Sequence, residues 1–118
     1  MQTIDEMRGE TGLPVVIADQ DGLITYVNGH FKTVFGWTEA EVMGRPLTIL
    51  IPPGLHDAHQ LGFSRFLTTG KATLLNQSLK LRAVTKDGRE FDAEHIITAE
   101  QSQGRWVFGA TIRPLSSD

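Results

Sequence analysis

The sequence predicts an α+β fold: a five-stranded antiparallel sheet with helices packed on one face. Three observations carry this expectation. Two short β-rich runs flank an Asp-Gly turn at 21–22. Helical stretches follow, opened or closed by cap signals. Three long alternating segments then end the chain, joined by connections short enough to require antiparallel neighbours.

Leu13 to Asp19 reads as a strand, and Gln20-Asp21-Gly22 supplies a tight turn because Asp-Gly tolerates positive φ. Leu23 to Val27, rich in β-branched and aromatic residues, returns as the second strand of a hairpin. Asn28 then caps a helix by accepting a backbone N–H bond. Phe31, Val34 and Phe35 repeat at helical spacing, and Gly36 ends the element. Thr38 with Glu41 forms a capping box for a short helix running to about Met43, stopped by Gly44.

The apolar run Leu47 to Ile51 is broken by Pro52-Pro53. A longer helix is predicted from Gly54 to about Thr68. Its adjacent stripes, Leu55, His59, Gly62, Phe66 and His56, His59, Phe63, Phe66, share His59, so a histidine is embedded in the apolar face. Three strands are predicted from Leu74 to Thr85, Arg89 to Ala99 and Arg105 to Leu115. Gln77, Leu79, Leu81 and Ala83 share one face of the first, and Phe91, Ala93, His95 and Ile97 one face of the second. Trp106, Phe108, Ala110 and Ile112 share a face of the third. The concave space between sheet and helices is a natural ligand pocket.

Composition bounds the function. With 118 residues, 40% of them hydrophobic and 21% charged, the chain is one domain able to bury a core. A net charge of −3 without a basic run excludes a nucleic-acid or membrane-surface footprint. The absence of cysteine excludes disulfides, thiolate zinc sites and a cysteine nucleophile, and fits a reducing, cytoplasmic setting. No apolar run approaches the ~20 residues of a membrane span. The segment Met1 to Glu10 is polar and acidic, unlike a signal peptide. We therefore expect residues 1–12 to flank a domain at 13–115, with 116–118 as a tail. No phosphate loop, nucleophile triad or metal-ligand cluster appears, and neither Ser64 nor Ser78 sits in a catalytic motif. The reading is a regulatory domain and not an enzyme.

This order, filled with these residues, resembles a PAS domain. The residues that carry the resemblance are Asp21-Gly22, Asn28, Phe31, Phe35-Gly36-Trp37, Glu39 to Gly44, and Lys86-Asp87-Gly88-Arg89-Glu90-Phe91, spread over Leu13 to Leu115. The resemblance implies a sensor domain within a larger signalling protein of the two-component kind. Its effector would be a histidine kinase, a cyclic-nucleotide enzyme, a chemoreceptor or a transcription regulator. It also implies a homodimer, for which the outer sheet face offers Ile96, Val107 and Thr111 among polar residues.

The segment Ile49 to His59 is similar to haem-binding PAS domains of oxygen-sensing kinases and phosphodiesterases. That similarity implies haem b with His59 as the iron ligand and Arg65 on a propionate, the other reading of Arg65 being a solvated helix residue. His56, one turn earlier, either bonds a propionate or is an exposed histidine near the helix start. Leu79 stands where those families place an arginine over bound oxygen, and Gln77 where the phosphodiesterase type has methionine. His95 then becomes either a hydrogen-bond donor to a gas, a sixth iron ligand, or a polar pocket residue for a small organic molecule or water. Trp106 either donates its indole N–H to a ligand or packs at the sheet edge. For His59 the other reading is a core-edge histidine bonded to a carbonyl or to Asp57. His30 is expected to face solvent. Three ligand classes stand open: haem sensing gas or redox state, no cofactor or a small organic molecule, and flavin without the cysteine photoadduct.

Overall fold

The computed structural model describes residues 3–69 and 78–115. Five strands form one antiparallel sheet in the order β2-β1-β5-β4-β3: β1 (Val15–Ala18), β2 (Ile24–Val27), β3 (Ser78–Val84), β4 (Glu90–Ser102) and β5 (Arg105–Pro114). Between β2 and β3 lie α2 (Gly29–Phe35), α3 (Glu39–Val42), 3₁₀ turns at Leu47–Leu50 and Pro53–Leu55, and α4 (His56–Thr69). A further helix, α1 (Ile4–Arg8), precedes β1. The α+β class and the five-stranded sheet with helices on its inner face are as the sequence predicts.

The β1–β2 hairpin turns through Gly22, whose φ of 79° suits glycine. The Asp19 carboxylate closes the turn by accepting the N–H groups of Asp21 and Leu23 at 2.9 and 3.0 Å. Asn28 caps α2 by accepting from Phe31 N–H at 3.1 Å. The same oxygen accepts Val15 N–H, and the amide nitrogen donates to the carbonyls of Glu10 and Leu13, so one side chain ties α2 to the entry of β1. The Thr38–Glu41 capping box is present at α3.

The main core lies between the inner sheet face and α2, α3 and the 47–50 turn. Phe31 and Phe35 are fully buried and stacked at 4.7 Å, with Phe91 5.5 Å from Phe35. Val16, Val42, Ala93 and Ile112 complete its floor. Truncating either buried phenylalanine removes about 3–5 kcal/mol of stability.

The run 47–51, to which the sequence assigns no element, is a 3₁₀ turn with its last residue extended. The first long strand is described from Ser78, so Gln77 and the part from Leu74 lie outside the described residues. The second long strand runs on to Ser102.

The outer sheet face is also less open than its alternation suggests. Thr3 and Glu6 form a capping box that starts α1. Ile4 and Met7 bury themselves on Val15 and Ile17, with Tyr26 and Val107 alongside. Glu100 accepts the N–H of Ile4 at 2.9 Å, and the Tyr26 hydroxyl donates to the Arg8 carbonyl at 3.1 Å. Val107 packs against this cluster instead of facing a partner, and Thr111 is only 4% exposed. The remaining outer face carries cross-strand ion pairs: Arg82 with Asp92 at 3.0 Å and Glu90 at 3.4 Å, and Arg113 with Glu94 at 3.1 Å. Of the three outer-face residues that the sequence offers for a dimer, Ile96, Val107 and Thr111, Val107 is thus packed against the α1 cluster and Thr111 is buried.

Candidate functional site

Helix α4 starts where Pro52-Pro53 ends the preceding segment, and its first histidine is committed locally. His56 Nε2 donates to the Ile51 carbonyl at 2.7 Å, which pins the start of α4 to the 3₁₀ segment before it. One turn later His59 is half-buried, and its Nδ1 is buried with no hydrogen-bond partner. Burial first, and the neighbouring His56 second, hold its pKa below the ordinary imidazole value, so the ring is neutral. Phe63 follows it on the same face, with ring centroids 6.1 Å apart.

His59 and Phe63 form one wall of an open cleft of about 320 Å³. The facing wall is the β1–β2 turn, Gln20 to Gly22, and the end is closed by Pro46, Leu47 and Thr48. Local pairing explains the assembly. Leu47 donates to the Gly22 carbonyl at 2.9 Å and Leu23 bridges Pro46, which brings the 46–48 segment beside the turn. Gln20 is fixed in turn, its side-chain oxygen accepting the Trp106 backbone N–H at 3.0 Å. Asp21 is exposed and pairs with Arg105 at 3.5 Å.

Helix α4 is also seated on the sheet by aromatic contacts, in which Phe63 takes part. Phe63 lies 4.8 Å from Phe108, and Phe66 lies 4.8 Å from Trp106 and 5.4 Å from Phe108, the last two edge to face. The Trp106 ring is therefore part of the seat of α4. His95 lies on the inner face of β4 between Leu79 and Ile112. Its Nδ1 donates to the Ala93 carbonyl at 3.2 Å. Burial lowers its pKa against the opposing effect of that bond, so it too is neutral.

The structure therefore brings His59 together with the hairpin turn and the 46–48 segment. It does not bring His95, Leu79 or Trp106 into that cleft, and Arg65 is exposed on α4 away from its lining. His30 is exposed, as the sequence suggests. Gln20, Thr48, Gln60 and Ser64 line the cleft without having been singled out in the sequence. A polar turn and a helix face give no signal of facing each other until the 46–48 segment is folded back.

A macrocycle held by His59 needs a slot between α4 and the sheet. The rings of Phe63, Phe66, Trp106 and Phe108 occupy that space. A metal-bound imidazole also has its other nitrogen hydrogen-bonded, and Nδ1 of His59 has no such partner. The residues as arranged do not fit haem. Among the described residues no cluster of three or more His, Asp or Glu is placed to hold a metal ion, and no helix is long and apolar enough to cross a membrane.

A second buried nitrogen without a partner is Nε1 of Trp37, which packs against the main core. Its ring faces Arg45 and Lys86 at 5.5 and 5.4 Å, within cation–π range. Lys86 also pairs with Glu41, so this cluster ties α3 to the β3–β4 turn.

Comparison with known proteins agrees with this architecture. A protein of Azorhizobium caulinodans with no described function is 35% identical over 103 residues, covering 86% of this chain and 14% of that protein. Sensor protein FixL of Bradyrhizobium diazoefficiens is 26% identical over 102 residues, covering 86% of this chain and 20% of its own length. The chain thus spans a fifth or less of these relatives. The solved PAS domain of a Colwellia psychrerythraea protein superposes with a TM-score of 0.71 at 17% identity, over 89% of this chain and 87% of that one. The family model described as the PAS fold matches residues 8–115. The chain belongs to the PAS family, whose members are sensory and regulatory modules.

Proposed function

We propose that this PAS domain is the ligand-sensing, signal-relaying part of a larger cytoplasmic signalling protein, with His59 as the ligand contact. One observation carries the reading: a neutral histidine with a buried, unpartnered nitrogen lines an open cleft. Orphaned polar atoms at such depth are uncommon and costly, and a ligand that hydrogen-bonds there removes the cost. The ligand would touch α4, the hairpin turn and the 46–48 segment together, and so favour one setting of α4 over another. That difference in affinity is what shifts the population between two states of the domain. The output belongs to a partner or fused effector: a histidine kinase, a cyclic-nucleotide enzyme, a chemoreceptor or a regulator. The similarity to a sensor protein supports this placement.

PAS domains commonly dimerise, and we propose a homodimer here as well. With Val107 packed against the α1 cluster and Thr111 buried, the contact would use α1 itself and Ile96 instead of a bare sheet. Light scattering of the chain checks this, and a monomer at every concentration refutes it.

Native mass spectrometry and the absorption spectrum of purified protein test the sensing role. We expect a small molecule retained by wild type and lost in His59→Ala. A Soret band lost in that variant assigns the ligand as haem, with the slot beneath α4 opened, and a flavin spectrum assigns flavin. No retained molecule, together with no response of amide exchange in α4 to any added ligand, refutes ligand sensing and leaves an interaction module without a cofactor.

A further inference from the structure

We infer that the cleft between α4 and the β1–β2 turn takes a compact, uncharged, ring-bearing molecule with an amide-like edge that both donates and accepts hydrogen bonds. The inference rests on the sensory reading above and narrows its ligand.

Size sets the first limit. The cleft of about 320 Å³ lies at the small end of the range for small-molecule sites, too small for a macrocycle or a dinucleotide. Charge sets the second. The ionisable side chains that line it are Asp21 and His59. Asp21 is exposed and already faces Arg105, so it gives a cationic ligand little in a screened setting. His59 is kept neutral by burial, and His56 is turned to the Ile51 carbonyl, so an anion meets no cation in the cleft.

Shape and polarity set the third. Phe63, Leu47 and Leu67 give apolar walls for a flat body. Gly22, whose positive φ suits glycine, adds no side chain between the turn and the Phe63 ring. Above this floor the polar groups are mixed. The neutral His59 ring offers the cleft its one nitrogen that is not buried, Gln20 offers its amide NH₂ once its oxygen is used by Trp106, and Thr48 and Ser64 offer hydroxyls that both donate and accept. A ligand edge that only accepts, or only donates, leaves part of this set unmatched.

The test uses the 118-residue chain and three probes of one shape: benzamide, benzoate and benzylamine. Binding is followed by NMR at the His59 ring nitrogens and at the Gly22 and Phe63 resonances. Benzamide is expected to give saturable shifts there, with each charged analogue at least about tenfold weaker. His59→Phe is expected to weaken benzamide about tenfold, the loss of one good hydrogen bond. Thr48→Val, which leaves the histidine and the core alone, weakens it severalfold and guards against a misfolded first variant. Charged analogues that bind as well as benzamide overturn the ligand class while sparing the sensory reading. A His59-dependent Soret band with hemin and no response to benzamide overturns the inference and again spares sensing. Silence of the cleft resonances toward all three probes overturns the inference outright.

Discussion

Gly109 of β5 lies directly beneath Met7 of α1: a Cβ at position 109 would stand 2.7 Å from the Met7 sulfur and 2.7 Å from the Ile4 Cδ1. The glycine is needed for closeness and not for its backbone freedom. Adding bulk there overpacks the seat of α1. Gly109→Val is expected to cost about 1–3 kcal/mol in urea unfolding and to speed amide exchange in residues 4–8. In the Met7→Ala background the cost shrinks, a coupling that identifies the contact. Equal costs in both backgrounds would show that α1 does not rest on this glycine.

The carboxamide of Asn28 serves the helix cap and the strand entry at once. Asn28→Ala is expected to cost roughly 2–3 kcal/mol, more than an ordinary cap, because Val15 N–H and the Leu13 carbonyl also lose their partner. Asn28→Asp keeps the two accepted bonds and loses the two donated ones, so its cost is expected to fall between wild type and alanine. A cost for alanine no larger than that of a simple cap would remove the strand-entry role.

Acid stability divides into two windows. His59 and His95 titrate below the ordinary value of 6.5 in the folded protein, each chiefly through burial. As pH falls from 6.5 the unfolded chain takes up these protons first, so stability falls until the folded form protonates too. Glu41 acts with the same sign in a lower window. Lys86 first and the Thr38 backbone second hold it down to about 2, so its contribution is intact above 4.5 and fades between 4.5 and 2. Replacing both histidines by phenylalanine is expected to flatten the urea midpoint just below pH 6.5 and to leave the Glu41 window unchanged. An unaltered slope in the upper window contradicts the assignment.

The ion pairs of the outer sheet are expected to matter little. Arg82 and Asp92 are both substantially exposed, so a double-mutant cycle on the pair should return about 0.2–1 kcal/mol and decline with added salt. A larger, salt-independent coupling would mean that this face is covered in solution.

The hairpin, the Asn28 cap, the Thr38–Glu41 box and the strand alternation were all legible, because each is written within a few residues. Helix α1 was not. Five residues with two apolar positions, Ile4 and Met7, cannot hold a helix alone, and their support comes from Gly109, a hundred residues away. The candidate site was half legible for the same reason. His59 stood out on its helix, but that it faces Gln20 and Thr48 follows from the Leu47–Gly22 bond, which no local pattern announces.

Strand β5 alternates its duties residue by residue. Phe108 carries α4 on one side, Gly109 carries α1 on the other, and Ile112 then joins the main core with Phe31 and Phe35. Neither helix can be resized or re-angled by changing its own residues alone, since the wall they share is one strand thick. Engineering this domain therefore means treating the two helices and β5 as a single unit, with compensation for any added volume sought across the sheet and not beside it.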